Sequence, residues 1–145
     1  MNKHILLSIQ PRIVNEIING TKTHEFRKKM PNMISDNLSN TIIIYCSSPV
    51  MKIIGSFRVG KYFHSDFDAL MIDIGATESY KKRIGNYFKD KQSCHAIEIT
   101  SLNLYKEPIS LGELRTKFPG FVPGQSYRYL DPKIKNLIID LNGKI

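Results

Sequence analysis

Six consecutive residues, Thr41-Ile-Ile-Ile-Tyr-Cys46, are β-branched or apolar without a break. A strand with one wet face alternates, whereas an unbroken run of this kind belongs to a central strand of a sheet. The chain must therefore build a sheet around this segment. The run stops at Ser47-Ser48-Pro49, and a second extended stretch, Met51 to Tyr62, follows at once. Gly55 and Gly60 interrupt that stretch. Glycines inside a strand mark bends or bulges, which a sheet needs if it is to curl towards a barrel.

The remaining elements fit around that core. His4 to Ile9 reads as a strand, and Pro11 opens a helix. Ile13, Val14, Ile17 and Ile18 recur on one helical face, and Gly20 falls where a left-handed C-cap belongs. Thr23 to Lys28 alternates, with Glu25 and Arg27 on one side and His24, Phe26 and Lys28 on the other, Phe26 anchoring the core. Residues 29–40 are polar and read as a loop. Asp66 to Phe88 is helical with a break near Gly75-Ala76-Thr77. Thr77 caps the second half, whose Tyr80, Ile84, Tyr87 and Phe88 share a side. Ser93 to Thr100 is a strand continuing through Leu102, Leu104 and Tyr105. Ser110 and Glu113 make a capping box for a short helix, Leu111 to Phe118. After a loop over Pro119 to Gly124, Ser126 to Leu130 is extended. Asp131-Pro132 then starts a last helix with the stripe Ile134, Leu137, Ile138 and Leu141. Five or six strands with short helices, and no internal repeat or linker, predict one α+β domain over residues 1–145, a small barrel-like sheet flanked by helices.

Charge narrows the partner. Against 13 acidic residues stand 21 Lys and Arg, a net +8. Such an excess favours an anionic partner, most commonly nucleic acid; a lysine content that only serves solubility is the alternative. No apolar run approaches bilayer-spanning length, and Met1 to Ile9 is too short and interrupted for a signal peptide. The expectation is a cytoplasmic protein without a membrane partner. Cys46 and Cys94 lie far apart in apolar strands and read as buried thiols rather than a disulfide. His4, His24, His64 and His95 show no ligand spacing, so a zinc centre would need them to converge from separate elements. No metal or cofactor is expected.

The octet Gly20-Thr-Lys22-Thr-His-Glu25-Phe-Arg27 concentrates three ionisable side chains that a core segment would not carry, and it reads as the lip of a polar pocket. Lys22 suits a phosphate or carbonyl oxygen as a compact cation. Arg27 can fork onto phosphate or a base edge. Glu25 can accept from an exocyclic amine or hold the two cations in place. If the site is catalytic, Lys22 and Glu25 pair as a base and its orienting partner, or activate water. The plainer alternative is a surface ion-pair cluster, contributing about 0–1 kcal/mol per pair. Ser47 and Ser48 either turn their hydroxyls to the same cleft or simply end a strand. Gln125, Ser126, Arg128 and Tyr129 either close the pocket, with Tyr127 or Tyr129 stacking on a base, or pack against the last helix. Lys81, Lys82 and Arg83, with Lys89 and Lys91, form a basic patch that is either a solvated face or a track for a phosphate backbone.

Several blocks together resemble one family. Ile5-Leu-Leu-Ser-Ile-Gln-Pro11, Gly20-x-Lys22-x-x-Glu25-x-Arg27, Tyr45-Cys-Ser47-Ser48-Pro49-Val and Gly55-Ser-Phe57 are similar to the ASCH (activating signal cointegrator homology) domain. Pro123-Gly-Gln125-Ser126-Tyr-Arg128-Tyr129 resembles the close of its prokaryotic and phage branch. The resemblance implies a PUA-like β-barrel with a cleft lined by the signature Lys, Glu and Arg, and a role in binding RNA or a modified nucleobase. It also implies an alternative, because some small members are hydrolases: one group is an N-acylcytidine-type amidohydrolase acting on a modified nucleoside, another has ribonuclease activity. The deacylase group carries Thr three residues after its Lys, where this chain has Glu25. That group also uses an acid from the helical region, for which Asp73 and Glu78 are the candidates here.

Overall fold

The computed structural model describes residues 4–29, 41–88 and 93–145. Its strands are β1 (Ile5–Ile9), β2 (His24–Arg27), β3 (Thr41–Cys46), β4 (Lys52–Ser65), β5 (Cys94–Ser110) and β6 (Tyr127–Tyr129). Its helices are α1 (Pro11–Ile18), α2 (Phe67–Asp73), α3 (Glu78–Tyr87), α4 (Leu111–Lys117) and α5 (Pro132–Asn142). The strands form one six-stranded sheet in the order β2-β5-β4-β3-β1-β6, with β1 and β3 parallel and the other pairs antiparallel. The continuous apolar run is central as its composition requires: Ile42, Ile43 and Ile44 are buried between β1 and β4.

The sheet curls into a half-barrel. Register shifts in the β4–β5 ladder fall between Ile53 and Gly55, between Ser56 and Arg58, and between Val59 and Tyr62. At Gly55 the backbone oxygen of Asn103 lies where a Cβ would sit, 2.5 Å from its ideal position. At Gly60 the Glu98 carboxylate fills that space and accepts a bond from the Lys61 N–H. At Gly55 the glycine is needed for close backbone approach at a bulge, whereas at Gly60 the nearest obstacle is the end of a side chain. The curl brings the first strand of the sheet near the fifth, so that Arg27 Nη2 on β2 donates to the Ser8 carbonyl on β1 at 3.1 Å.

The inner face carries Ile5, Leu7, Ile9, Ile42, Ile44, Phe57 and Ile97, and α1 covers it with Val14 and Ile17. The outer face is covered in two patches. Helices α4 and α5 bring Leu114, Ile134 and Ile138 onto Leu6, Ile43 and Tyr45. Helices α2 and α3 bring Leu70, Met71 and Ile84 onto Phe26 and Ala96. Asp66, Thr77, Ser110 and Asp131 each cap the following helix through a side-chain oxygen, and Gly20 adopts φ +82° just past α1.

Some expectations shift. Strand β4 runs on to Ser65 and β5 to Ser110, because the two long strands pair through their bulges. Ile18 and Leu141, read as part of the apolar helix faces, are 44% and 42% exposed, each lying in the last turn of its helix. Cys46 and Cys94 are buried thiols and form no disulfide. The expected loop lies outside the described residues apart from Lys29, as do Lys89 and Lys91.

Candidate functional site

A half-barrel leaves a seam, and there the edge strand β2 faces β1, α1 and α3. A cavity of about 350 Å³ opens at this seam. Strand β2 contributes Glu25, Phe26 and Arg27, and the turn before it Lys22. The β1–α1 junction contributes Ser8, Gln10 and Arg12, α3 adds Arg83 and Tyr87, and Gln125 stands before β6. The three ionisable groups of the octet thus share one concavity.

Alternation along β2 explains the placement. Phe26 turns outward under α3, where its ring meets Phe88 edge-on, while Glu25 and Arg27 turn to the inner face beside Ile97 and His95 of β5. Lys22 and Glu25 are 8% and 6% exposed. Glu25 Oε1 lies 3.4 Å from Arg27 Nε, and Glu25 Oε2 lies 4.0 Å from Lys22 Nζ, beyond hydrogen-bond reach. Neither Glu25 Oε2 nor Arg27 Nε has a hydrogen-bond partner in the protein. Lys22 Nζ also sits 5.0 Å from the centre of the Phe26 ring, a cation–π distance. Burial lowers the Lys22 pKa; Glu25 opposes the shift, and Arg83 adds to it.

Across the mouth, Arg83 of α3 forks onto Glu16 of α1, with Nη1 donating to Oε2 at 2.7 Å and Nη2 donating to Oε1. This bond ties the two helices together over the cavity. It lowers the Glu16 pKa and raises that of Arg83. The Lys28 ammonium lies over the Tyr87 ring at 5.0 Å.

Of the residues singled out in the sequence, Lys22, Glu25, Arg27 and Gln125 line this cavity; Ser47, Ser48, Ser126, Arg128 and Tyr129 do not. Ser47 and Ser48 belong to the turn after β3, where Ser47 N–H donates to the Ile9 carbonyl. Ser126 offers its carbonyl to Ser8 N–H. Arg128 pairs with Leu6, which faces outward, and its guanidinium donates to the Val122 carbonyl over the Phe121 ring. Tyr129 pairs with Ile5 and is 44% exposed. Sequence reasoning had placed Arg83 only in a surface patch and had passed over Arg12. Helical spacing offered a signal, since Arg12 and Glu16 lie four apart on the polar face of α1. Asp73 and Glu78 do not line the cavity.

A curled mixed sheet with helices on both faces and a polar cleft at its seam is a PUA-like fold. The chain belongs to the ASCH domain family, whose model matches residues 7–103. It is 26% identical over 145 residues to an "ASCH domain-containing ribonuclease" of Zymomonas mobilis, covering 99% of this chain and 95% of that protein. The crystal structure of ASCH from Z. mobilis superposes with a TM-score of 0.79 at 24% identity, over 98% of this chain and 97% of the other. The N-terminal domain of Staphylothermus marinus McrB shares the fold at a TM-score of 0.61 and 12% identity, over 97% and 94% of the two chains. No helix among the described residues is long and apolar enough to cross a membrane.

Proposed function

We propose that this protein binds RNA, or one modified nucleobase, in the cavity at the half-barrel seam. The observation that carries this reading is the composition of the lining, in which Arg12, Lys22, Arg27 and Arg83 share about 350 Å³ with the single carboxylate of Glu25. A site for a simple anion would not need Glu25, and a cation would be repelled. A nucleotide satisfies both demands, because its phosphate pairs with arginine and lysine while an exocyclic amine donates to a carboxylate. Glu25 and Arg27 both line the cavity, an acceptor and a donor 3.4 Å apart, which suits a base edge. The volume falls at the lower end of small-ligand pockets, about 300–1,000 Å³.

Affinity for a fluorescent single-stranded oligoribonucleotide, measured against salt, tests the reading. Binding should weaken steeply with salt. Lys22→Ala and Arg27→Ala should each lose about 10- to 150-fold, as expected for hydrogen bonds to charged groups. Salt-insensitive failure to bind, or variants that bind like the wild type, would overturn it.

A second reading, hydrolysis of RNA, draws support from the ribonuclease name of the Z. mobilis relative. It also draws on the burial of Lys22, which moves an ordinary ammonium towards service as a base. Cleavage products that disappear in a folded Lys22→Ala protein are its signature. Deacylation of an N-acylated nucleoside has less support, since Glu25 occupies the position of the deacylase Thr and both candidate second acids lie off the cavity.

A further inference from the structure

Two rows of side chains cross the inner face at the β2 end of the sheet. Register aligns Arg27 with His95 and His95 with His64, and in the next row Glu25 with Ile97 and Ile97 with Tyr62. Directly paired residues share a face of the sheet. The row that begins with Arg27 in the cavity therefore continues across β5 and β4 as two imidazoles. Their rings are stacked, with centroids 4.1 Å apart and planes 16° from parallel. The Tyr62 ring lies 21° from parallel to His95, and its hydroxyl is 2.6 Å from His95 Nδ1. His64 Nε2 is fixed at 2.6 Å from Ser93 Oγ. His64 ends the row and is exposed, while His95 is half-buried.

This cluster is built, yet the cavity does not use it. Stacked rings direct their nitrogen lone pairs in parallel planes, with one nitrogen of each already engaged, so they do not converge on an ion. Among the described residues no third ligand joins them. Near-parallel π-faces fixed at their edges and ending at an exposed residue, His64, suit a platform for another flat ring.

We propose that Tyr62, His95 and His64 form a second subsite, a stacking platform for the base of the nucleotide adjoining the one held in the cavity. The ligand is then single-stranded RNA of at least two nucleotides, anchored at Arg27 and laid across β5 onto β4. This deepens the proposed function and rests on it. Base stacking on aromatic rings is sequence-tolerant, so the platform adds affinity with length rather than base preference.

The test compares uridine monophosphate with a pentauridylate on wild type, His64→Ala and His64→Phe, the Phe variant keeping an aromatic ring without a charge. His64 is exposed, so its replacement leaves the core intact. In the wild type the pentamer should bind tighter than the monomer. His64→Ala should weaken the pentamer by about 5- to 150-fold and leave the monomer unchanged, and His64→Phe should restore the pentamer. Equal pentamer affinity in wild type and His64→Ala, or an equal loss for the monomer, overturns the platform while leaving the cavity reading in place. A wild type that binds neither ligand overturns both.

Discussion

Lys22 owes its weakened hold on its proton to the burial that places it in the cavity. Water is withdrawn from the ammonium, the Glu25 carboxylate restores part of the loss, and Arg83 works against it. The folded-state pKa therefore lies below the ordinary lysine value of 10.5, and the unfolded chain holds this proton more tightly. Stability attributable to Lys22 consequently rises with pH between the folded and unfolded values, since there the unfolded state binds the extra proton. Its attraction for phosphate runs the other way, fading as pH rises through the depressed value. RNA affinity followed from neutral to alkaline pH should fall earlier in the wild type than in Lys22→Arg, whose guanidinium stays charged. Identical pH profiles would remove Lys22 from the contact. The identity of this residue was readable from the octet, but its protonation depends first on burial that only the assembled fold supplies, and then on Glu25 and on Arg83 from α3.

Element by element, β4 decides the shape. Its two glycines admit bulges where β5 approaches too closely for any side chain, but the obstacles differ. At Gly55 the obstacle is the backbone carbonyl of Asn103, fixed in the ladder. At Gly60 it is the end of the Glu98 side chain, which can rotate at the cost of its bond to Lys61 N–H. Gly55→Ala should therefore cost about 1–3 kcal/mol, the range for overpacking, and Gly60→Ala less. Denaturant midpoints check the order, and a larger loss at Gly60 would contradict the account of the curl. The edge strand β2 is the counterpart on the functional side. Four residues of alternation suffice to put Phe26 under α3 and Glu25 and Arg27 on the inner face.

The whole molecule adds a field to the pocket. With a net +8, it draws polyanions before any specific contact forms. Lys82 on α3 is exposed and does not line the cavity. If it tracks a phosphate, Lys82→Ala should flatten the salt slope of RNA binding by about 0.7 and leave base preference unchanged; an unaltered slope makes it a solvated charge. Much of the architecture could be read locally. The apolar run of β3, the alternation of β2, the caps at Thr77 and Ser110 and the glycines of β4 each express a short-range rule, and each element formed near where that rule places it. The cavity was legible only in part. The octet supplied Lys22, Glu25 and Arg27, while Arg12 comes from the helix just before it and Arg83 from a helix remote in the chain, and Ser47, Ser48 and Arg128 turn elsewhere. Periodicity states which way a side chain faces within its own element. It does not state which elements the curl of the sheet will bring together, because that depends on bulge positions and long-range pairing summed over every strand. The sequence by itself therefore determined the strands, the helices and the acid–base triplet. Tertiary structure alone decided that the triplet closes on two helices at an open seam, and that two histidines thirty-one residues apart stack beside it.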